Sequence, residues 1–172
     1  MSIIFKAKNT TDINTKVERK TRSAVSFVYR TYTDYEINTI TPSRKATINS
    51  IDGNQNTFDS ILPSDDFEYR FNSVQLSKTL YKITSNVGEW LTGTLDFYYI
   101  PVGELNPSNY VLYDQWTHPL NNLNHHDIIY DNFNDVICDG IYMFINGSIE
   151  GGWMRLEEVQ IWEKRLTPLN EL

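Results

Sequence analysis

Apolar and polar residues alternate with a period of two along most of the chain, the pattern of strands that bury one face and wet the other. Val25, Phe27, Tyr29 and Thr31 alternate with Ser26, Val28 and Arg30, and Phe67, Tyr69 and Phe71 oppose Glu68, Arg70 and Asn72. Further strand signals lie at residues 35–40, 79–84, 94–100, 110–113, 127–130 and 141–145, and turn clusters rich in Gly, Pro, Asn and Asp separate most of them. No segment longer than about ten residues keeps a helical period. In the closing run, residues 153–162, the apolar set changes phase: Met154 and Leu156 are even, Val159 and Ile161 odd. The change falls at Glu157-Glu158 and predicts a β-bulge there.

Composition supports the same class. Val, Ile, Thr, Tyr, Phe and Trp make up 65 of the 172 residues and Ala only three, so an all-β chain is expected. The length suits one domain with an extension. The net charge of -7 is unevenly spread: residues 1–45 carry +5 and residues 46–172 carry -12. The first 22 residues, with Lys6, Lys8, Lys16, Arg19, Lys20 and Arg22 among Thr and Asn, have no sustained period and read as an extended arm. The expected division is a basic arm or anchor with one or two strands at 1–45 and a β-domain at 46–172.

Several function classes are excluded or disfavoured. No apolar run is long enough to span a bilayer, so no membrane insertion is expected. The opening MSIIFKAKNTTDINTK has too short an apolar stretch for a secretory signal, which points to synthesis in a cytoplasm. The lone Cys138 has no internal partner and reads as a small buried hydrophobe. No nucleophile-elbow, zincin or phosphate-loop motif is present, so no enzyme is expected. The acidic main domain would repel phosphates, so no nucleic-acid partner is expected either. His125-His126-Asp127 has metal-binding residue types, but adjacent strand side chains diverge and no third ligand has zinc-like spacing.

The sharpest local feature is Asp52-Gly53-Asn54-Gln55-Asn56-Thr57-Phe58, a turn crowded with oxygen donors. The surrounding segment, Ala46 to Ser60, resembles the opening motif of discoidin domains, also called coagulation factor 5/8 type C or galactose-binding-like domains. Phe67 to Phe71 followed by Leu80 to Ile83 resembles that family's early core strands. Asp96 to Gly103 is similar to its central strand and turn, and Trp153 to Trp162 to its closing strand. The resemblance covers about residues 46–163. It implies an antiparallel jelly-roll β-sandwich whose terminal strands lie side by side. It also implies a structural calcium held by Asp52, Asn54, Thr57 and Glu158. The disulfide that clamps the ends of animal members is missing, which suggests a bacterial or viral version.

Ligand binding in that family uses variable loops. Trp90 lies in a turn-rich loop, and Trp116 and His118 lie close together in another; an indole face beside hydrogen-bonding groups suits a sugar, so these three are the candidate ligand residues. The expected function is a non-catalytic virion decoration or fibre-associated protein of a phage, displaying a glycan-adhesion domain. Its expected partners are other virion proteins, reached through the basic arm, and cell-surface glycans, within an oligomer or larger assembly. The alternative is a stand-alone carbohydrate-binding protein, or an accessory binding module of a glycoside-active enzyme.

Overall fold

The structure is a computed structural model; it describes residues 12–14, 28–54, 56–85, 90–118, 125–150 and 154–168. These form ten strands: β1 (Asp12–Asn14), β2 (Val28–Glu36), β3 (Thr41–Arg44), β4 (Asp59–Ile61), β5 (Asp66–Ser85), β6 (Trp90–Pro101), β7 (Val111–Trp116), β8 (His125–Tyr130), β9 (Ile137–Glu150) and β10 (Met154–Pro168). Two single 3-10 turns, Ile48–Ser50 and Pro107–Asn109, are the only helical elements among the described residues. Among the described residues the pairs β1–β2, β4–β10, β5–β10, β3–β5, β5–β8, β5–β9, β6–β7 and β6–β9 are antiparallel.

The chain forms two compact units, one of Glu36–Glu163 and one drawn from Met1–Tyr35 with Lys164–Leu172. In the smaller unit β1 pairs with β2, and the Arg165 guanidinium lies over the Tyr35 ring.

The larger unit is a jelly-roll sandwich. One sheet runs β3-β5-β9-β6-β7 and the other β4-β10-β5-β8. The 20-residue β5 serves both sheets, its first half pairing with β9 and its second with β10 and β8. The crossing falls where the β5–β9 register slips between Arg70 and Val74. Just beyond it the Leu76 amide donates to the Val136 carbonyl at 2.8 Å, outside the ladder.

The alternation seen in the sequence becomes the core. Phe67, Tyr69, Tyr81 and Ile83 of β5 meet Leu95 and Phe97 of β6, Ile141, Met143 and Ile145 of β9, and Met154, Leu156, Val159 and Ile161 of β10 in one apolar cluster. Cys138 is fully buried among them, and burial pushes its thiol up to about 12, leaving it inert. The bulge in β10 is present. Leu156 pairs with Ile83 and Glu158 with the adjacent Lys82, so Glu157 is the extra residue. Met154 and Leu156 before it, and Val159 and Ile161 after it, therefore all reach the core despite their opposite parity.

Two strand expectations change. The strand signal at 35–40 is not one strand: β2 ends at Glu36, and Thr41–Arg44, although it contains Pro42, is itself β3. The proline is tolerated because, among the described residues, β3 pairs only with β5, so its other side needs no ladder donor. Of the strand expected from Val25, residues 25–27 lie outside the described residues, and the rest belongs to β2.

Buried polar side chains lock the entry to the sandwich. Asp59 is 5% exposed. It accepts from the Thr47 amide at 2.8 Å, the Thr47 hydroxyl at 2.5 Å and the Ser50 hydroxyl at 2.6 Å. Ser50 Oγ also lies 2.8 Å from the Tyr69 hydroxyl. The 3-10 turn is thereby tied to the core without a buried, unpaired donor.

Candidate functional site

The second half of β5 sits between β10 and β8, and strict register sets which side chains share a face. Glu158 pairs with Lys82, and Lys82 pairs with Asp127, so three charged residues form a row across three strands. Thr84 and His125 form the next outward pair, with Thr84 Oγ1 2.8 Å from His125 Nδ1. The alternate positions Tyr81, Ile83, His126 and Ile128 are buried on the inner face. Because Glu157 is inserted at the bulge, β10 contributes two successive glutamates beside this row instead of one.

Lys82 Nζ lies 2.9 Å from Glu158 Oε2, and Gln160 donates to Glu158 Oε1 at 2.6 Å. The hydrogen bond to Glu158 raises the Lys82 pKa, outweighing desolvation, and the charges of Glu158, Asp127 and Glu157 add to it. Beside the pair opens a cavity of about 300 Å³ lined by Lys82, Ile83, His125, His126, Asp127 and Glu157. That volume is at the small end of the range for small-molecule sites.

On the other side of β8 lies an aromatic group. The Trp116 ring is 5.0 Å from His126 and 5.6 Å from His118, and the two imidazoles are 5.0 Å apart. Trp116 is half-buried and packs on the apolar core. His118 is 9% exposed, with Nε2 3.2 Å from Ser85 Oγ, and its Nδ1 has no hydrogen-bond partner among the described residues. His126 stands between the two sets: the residue borders the cavity, while its buried ring lies 5.0 Å from each of the Trp116 and His118 rings. The expected pair Trp116 and His118 is thus brought together, while the Trp90 side chain lies outside the described residues.

Three of the four residues expected to hold calcium also converge. Thr57 Oγ1 lies 2.9 and 2.8 Å from the two Asp52 oxygens, 2.7 Å from the Asn54 carbonyl and 3.3 Å from the Asn49 carbonyl. Gly53, at φ 71°, allows the turn that folds Asp52 back, and the Asn54 amide donates to Asp52 Oδ1 at 2.8 Å. The fourth, Glu158, is engaged by Lys82 and Gln160. In the His125-His126-Asp127 run, His126 is buried while His125 and Asp127 are exposed. Among the described residues no cluster of three His, Cys, Asp or Glu side chains is placed to hold a metal.

No protein-family profile matches the chain, and no curated protein does. Solved structures do match. The family 32 carbohydrate-binding module of NanJ from C. perfringens, in complex with galactose, superposes with a TM-score of 0.56 at 16% identity, over 76% of this chain and 100% of that one. The corresponding module of AlyQ, in complex with 4,5-unsaturated mannuronic acid, gives 0.53 at 16% identity over 75% and 97% of the two chains. A Clostridium perfringens module in complex with GalNAc-β-1,3-galactose gives 0.51 at 12% identity over 72% and 93%. The fold is the galactose-binding-like jelly roll. Within this galactose-binding-like frame, Lys82 and Glu157 are the cavity residues that periodicity does not single out. They meet only through the register of strands some 75 residues apart in sequence. The one visible signal was the phase change at Glu157.

Proposed function

We propose that this chain is a non-catalytic carbohydrate-binding module, either stand-alone or the binding part of a glycoside-active enzyme, with the outer-face cavity as its saccharide site. The observation that carries the reading is the mixed lining of that cavity. Lys82 and His125 supply donors, and Asp127 and Glu157 supply acceptors, a combination that suits a ligand dense in hydroxyls. The fold supports it, since similar structures are complexes with galactose, an unsaturated uronic acid and a GalNAc-galactose disaccharide. Trp116 and His118 pack against the buried His126 ring on the inner side of β8 and so back the strand that carries His125 and Asp127. A glycan array followed by calorimetry tests the reading. Binders should appear, and Asp127→Ala or Glu157→Ala should weaken them at least about tenfold; an array without binders overturns it.

The Asp52 loop suits a structural calcium. Asp52 would supply its carboxylate, Thr57 its hydroxyl, and Asn54 and Asn49 their carbonyls, with water completing the six to eight oxygens this ion takes. The ion would neutralise Asp52 and pin the loop.

A second reading places the module on a virion, held by its N-terminal segment. It is supported by the contrast between the +5 segment and the -12 domain, and by the separate compact unit to which Met1–Tyr35 belongs. Mass spectrometry of purified particles tests it; particles that lack the chain overturn it.

A further inference from the structure

The charges around the cavity do not balance. Lys82 is the one ammonium among three carboxylates, and it is already committed to Glu158, whose other oxygen accepts from Gln160; the neighbouring cation, Arg155, in register with Thr84 one row away, has its guanidinium over the Phe58 ring at 4.1 Å, so two cations stand beside three carboxylates. Asp127 and Glu157 line the cavity and make no hydrogen bond or close ion pair among the described residues. Register makes the imbalance a built feature: β8 places Asp127 directly opposite Lys82, and the bulge adds Glu157 to a strand that already supplies Glu158.

We propose that this cavity selects saccharides by charge, taking hexosamines whose amine is free and protonated and rejecting uronates and other acidic sugars. The proposal rests on the carbohydrate-binding reading above and names the ligand class of that site. A protonated amine between Asp127 and Glu157 gains charge-assisted hydrogen bonds, which are stronger than those between neutral groups. A recess excludes part of the solvent, so the attraction is screened less than at an open surface. An acidic sugar would bring another anion to two uncompensated carboxylates, and the nearby lysine is occupied. N-acetylation removes the charge and adds bulk in a cavity of about 300 Å³. The reason is chemical rather than an inheritance from similar structures, one of which holds an unsaturated uronic acid.

Calorimetric titration of the full chain with galactosamine, glucosamine, their N-acetyl counterparts and galacturonic acid tests this, at low salt and about pH 7, below the usual amine range and above the usual imidazole one. The free amines should bind at least about tenfold tighter than the N-acetyl sugars, galacturonate should give no heat, and added salt should shrink the difference. Asp127→Asn and Glu157→Gln should each lower the ratio of amine to N-acetyl affinity, and the double variant should bring it near unity. Equal binding of amines and N-acetyl sugars, galacturonate binding as well as galactosamine, or a ratio unchanged in the double variant each overturns the proposal. If N-acetyl sugars or galacturonate bind and the amines do not, charge selection alone is wrong. If no sugar of any charge binds, the carbohydrate reading fails with it.

Discussion

Glu158 faces Lys82 directly across the β10–β5 ladder, Oε2 to Nζ 2.9 Å, although the parity of β10 before the bulge would turn residue 158 inward. Leu156 faces the core, and two positions on in a regular strand is the same face. The inserted Glu157 reverses that parity, so one extra residue both keeps Val159 and Ile161 in the core and delivers two carboxylates to the outer face.

The bulge is therefore separable from the fold. Pairing on β5 is continuous across it, Ile83 then Lys82, so removing Glu157 leaves Leu156 in, Glu158 out and Val159 in as a regular strand. Deletion of Glu157 is expected to preserve cooperative unfolding with the midpoint lowered by only a few degrees, about 1 kcal/mol in a chain of this size. Deleting Gln160 instead turns Ile161 out of the core and should abolish folding. Thermal melts followed by circular dichroism compare the two.

That contrast marks what was legible in the chain and what was not. Period-2 alternation exposed Phe67 and Tyr69 as core, and the broken alternation exposed the bulge, because both are local signals. β4 has three residues and β3 contains a proline, too little pattern for either to stand out. The oxygens of Asp52, Asn54 and Thr57 lie within six residues of each other, so their convergence was readable as a loop. The cavity was not: His125-His126-Asp127 is conspicuous, but Lys82 and Glu157 join it only through non-local register. Glu68 likewise looks like a solvent-facing strand residue, yet it is 8% exposed, because Arg44 and Tyr110 converge on it from two distant places in the chain, beside Arg70 of its own strand.

Glu68 makes the acid limb of stability predictable. Burial works to raise its pKa, but hydrogen bonds from Arg70, Arg44 and Tyr110 and the Arg70 charge outweigh this and hold it below the ordinary carboxylate range. A carboxylate depressed in the folded state contributes fully above its unfolded pKa, about 4.3, and the contribution fades as pH falls through the lower folded value. Glu68→Gln is expected to cost about 2–3 kcal/mol near neutrality, because two guanidinium groups lose their shared acceptor. The gap from the wild type should narrow in strong acid. Urea melts at several pH values check it; a gap independent of pH would show that shape rather than charge is at work.

Gly93 and Gly147 face each other across the β6–β9 ladder. Gly93 holds φ 126°, and a Cβ there would run into the Asn146 carbonyl, while one on Gly147 would run into the Thr92 carbonyl. Backbone cannot yield as a flexible side chain can, so alanine at either position should cost about 2–4 kcal/mol and distort the pairing. Gly103, also at positive φ but with open space around it, should lose about 1 kcal/mol on the same change. Denaturant midpoints of the three variants should fall in that order.

The oxygen cluster around Thr57 predicts a metal-linked stability. An ion that binds only the folded chain raises the unfolding midpoint with its concentration, by about 2.7 kcal/mol at a hundredfold excess over its dissociation constant. Calcium added to chelator-treated protein should therefore raise the melting temperature by several degrees, and magnesium should do so less, because this loop offers one carboxylate and carbonyls rather than a rigid octahedron. Asp52→Ala should abolish the response while costing little in chelator, since the Asp52 contacts lie in an exposed turn. Glu158→Gln separates two roles for the closing strand. With its carboxylate on Lys82, the variant should lose stability equally with and without calcium; a loss confined to calcium would instead make Glu158 a ligand.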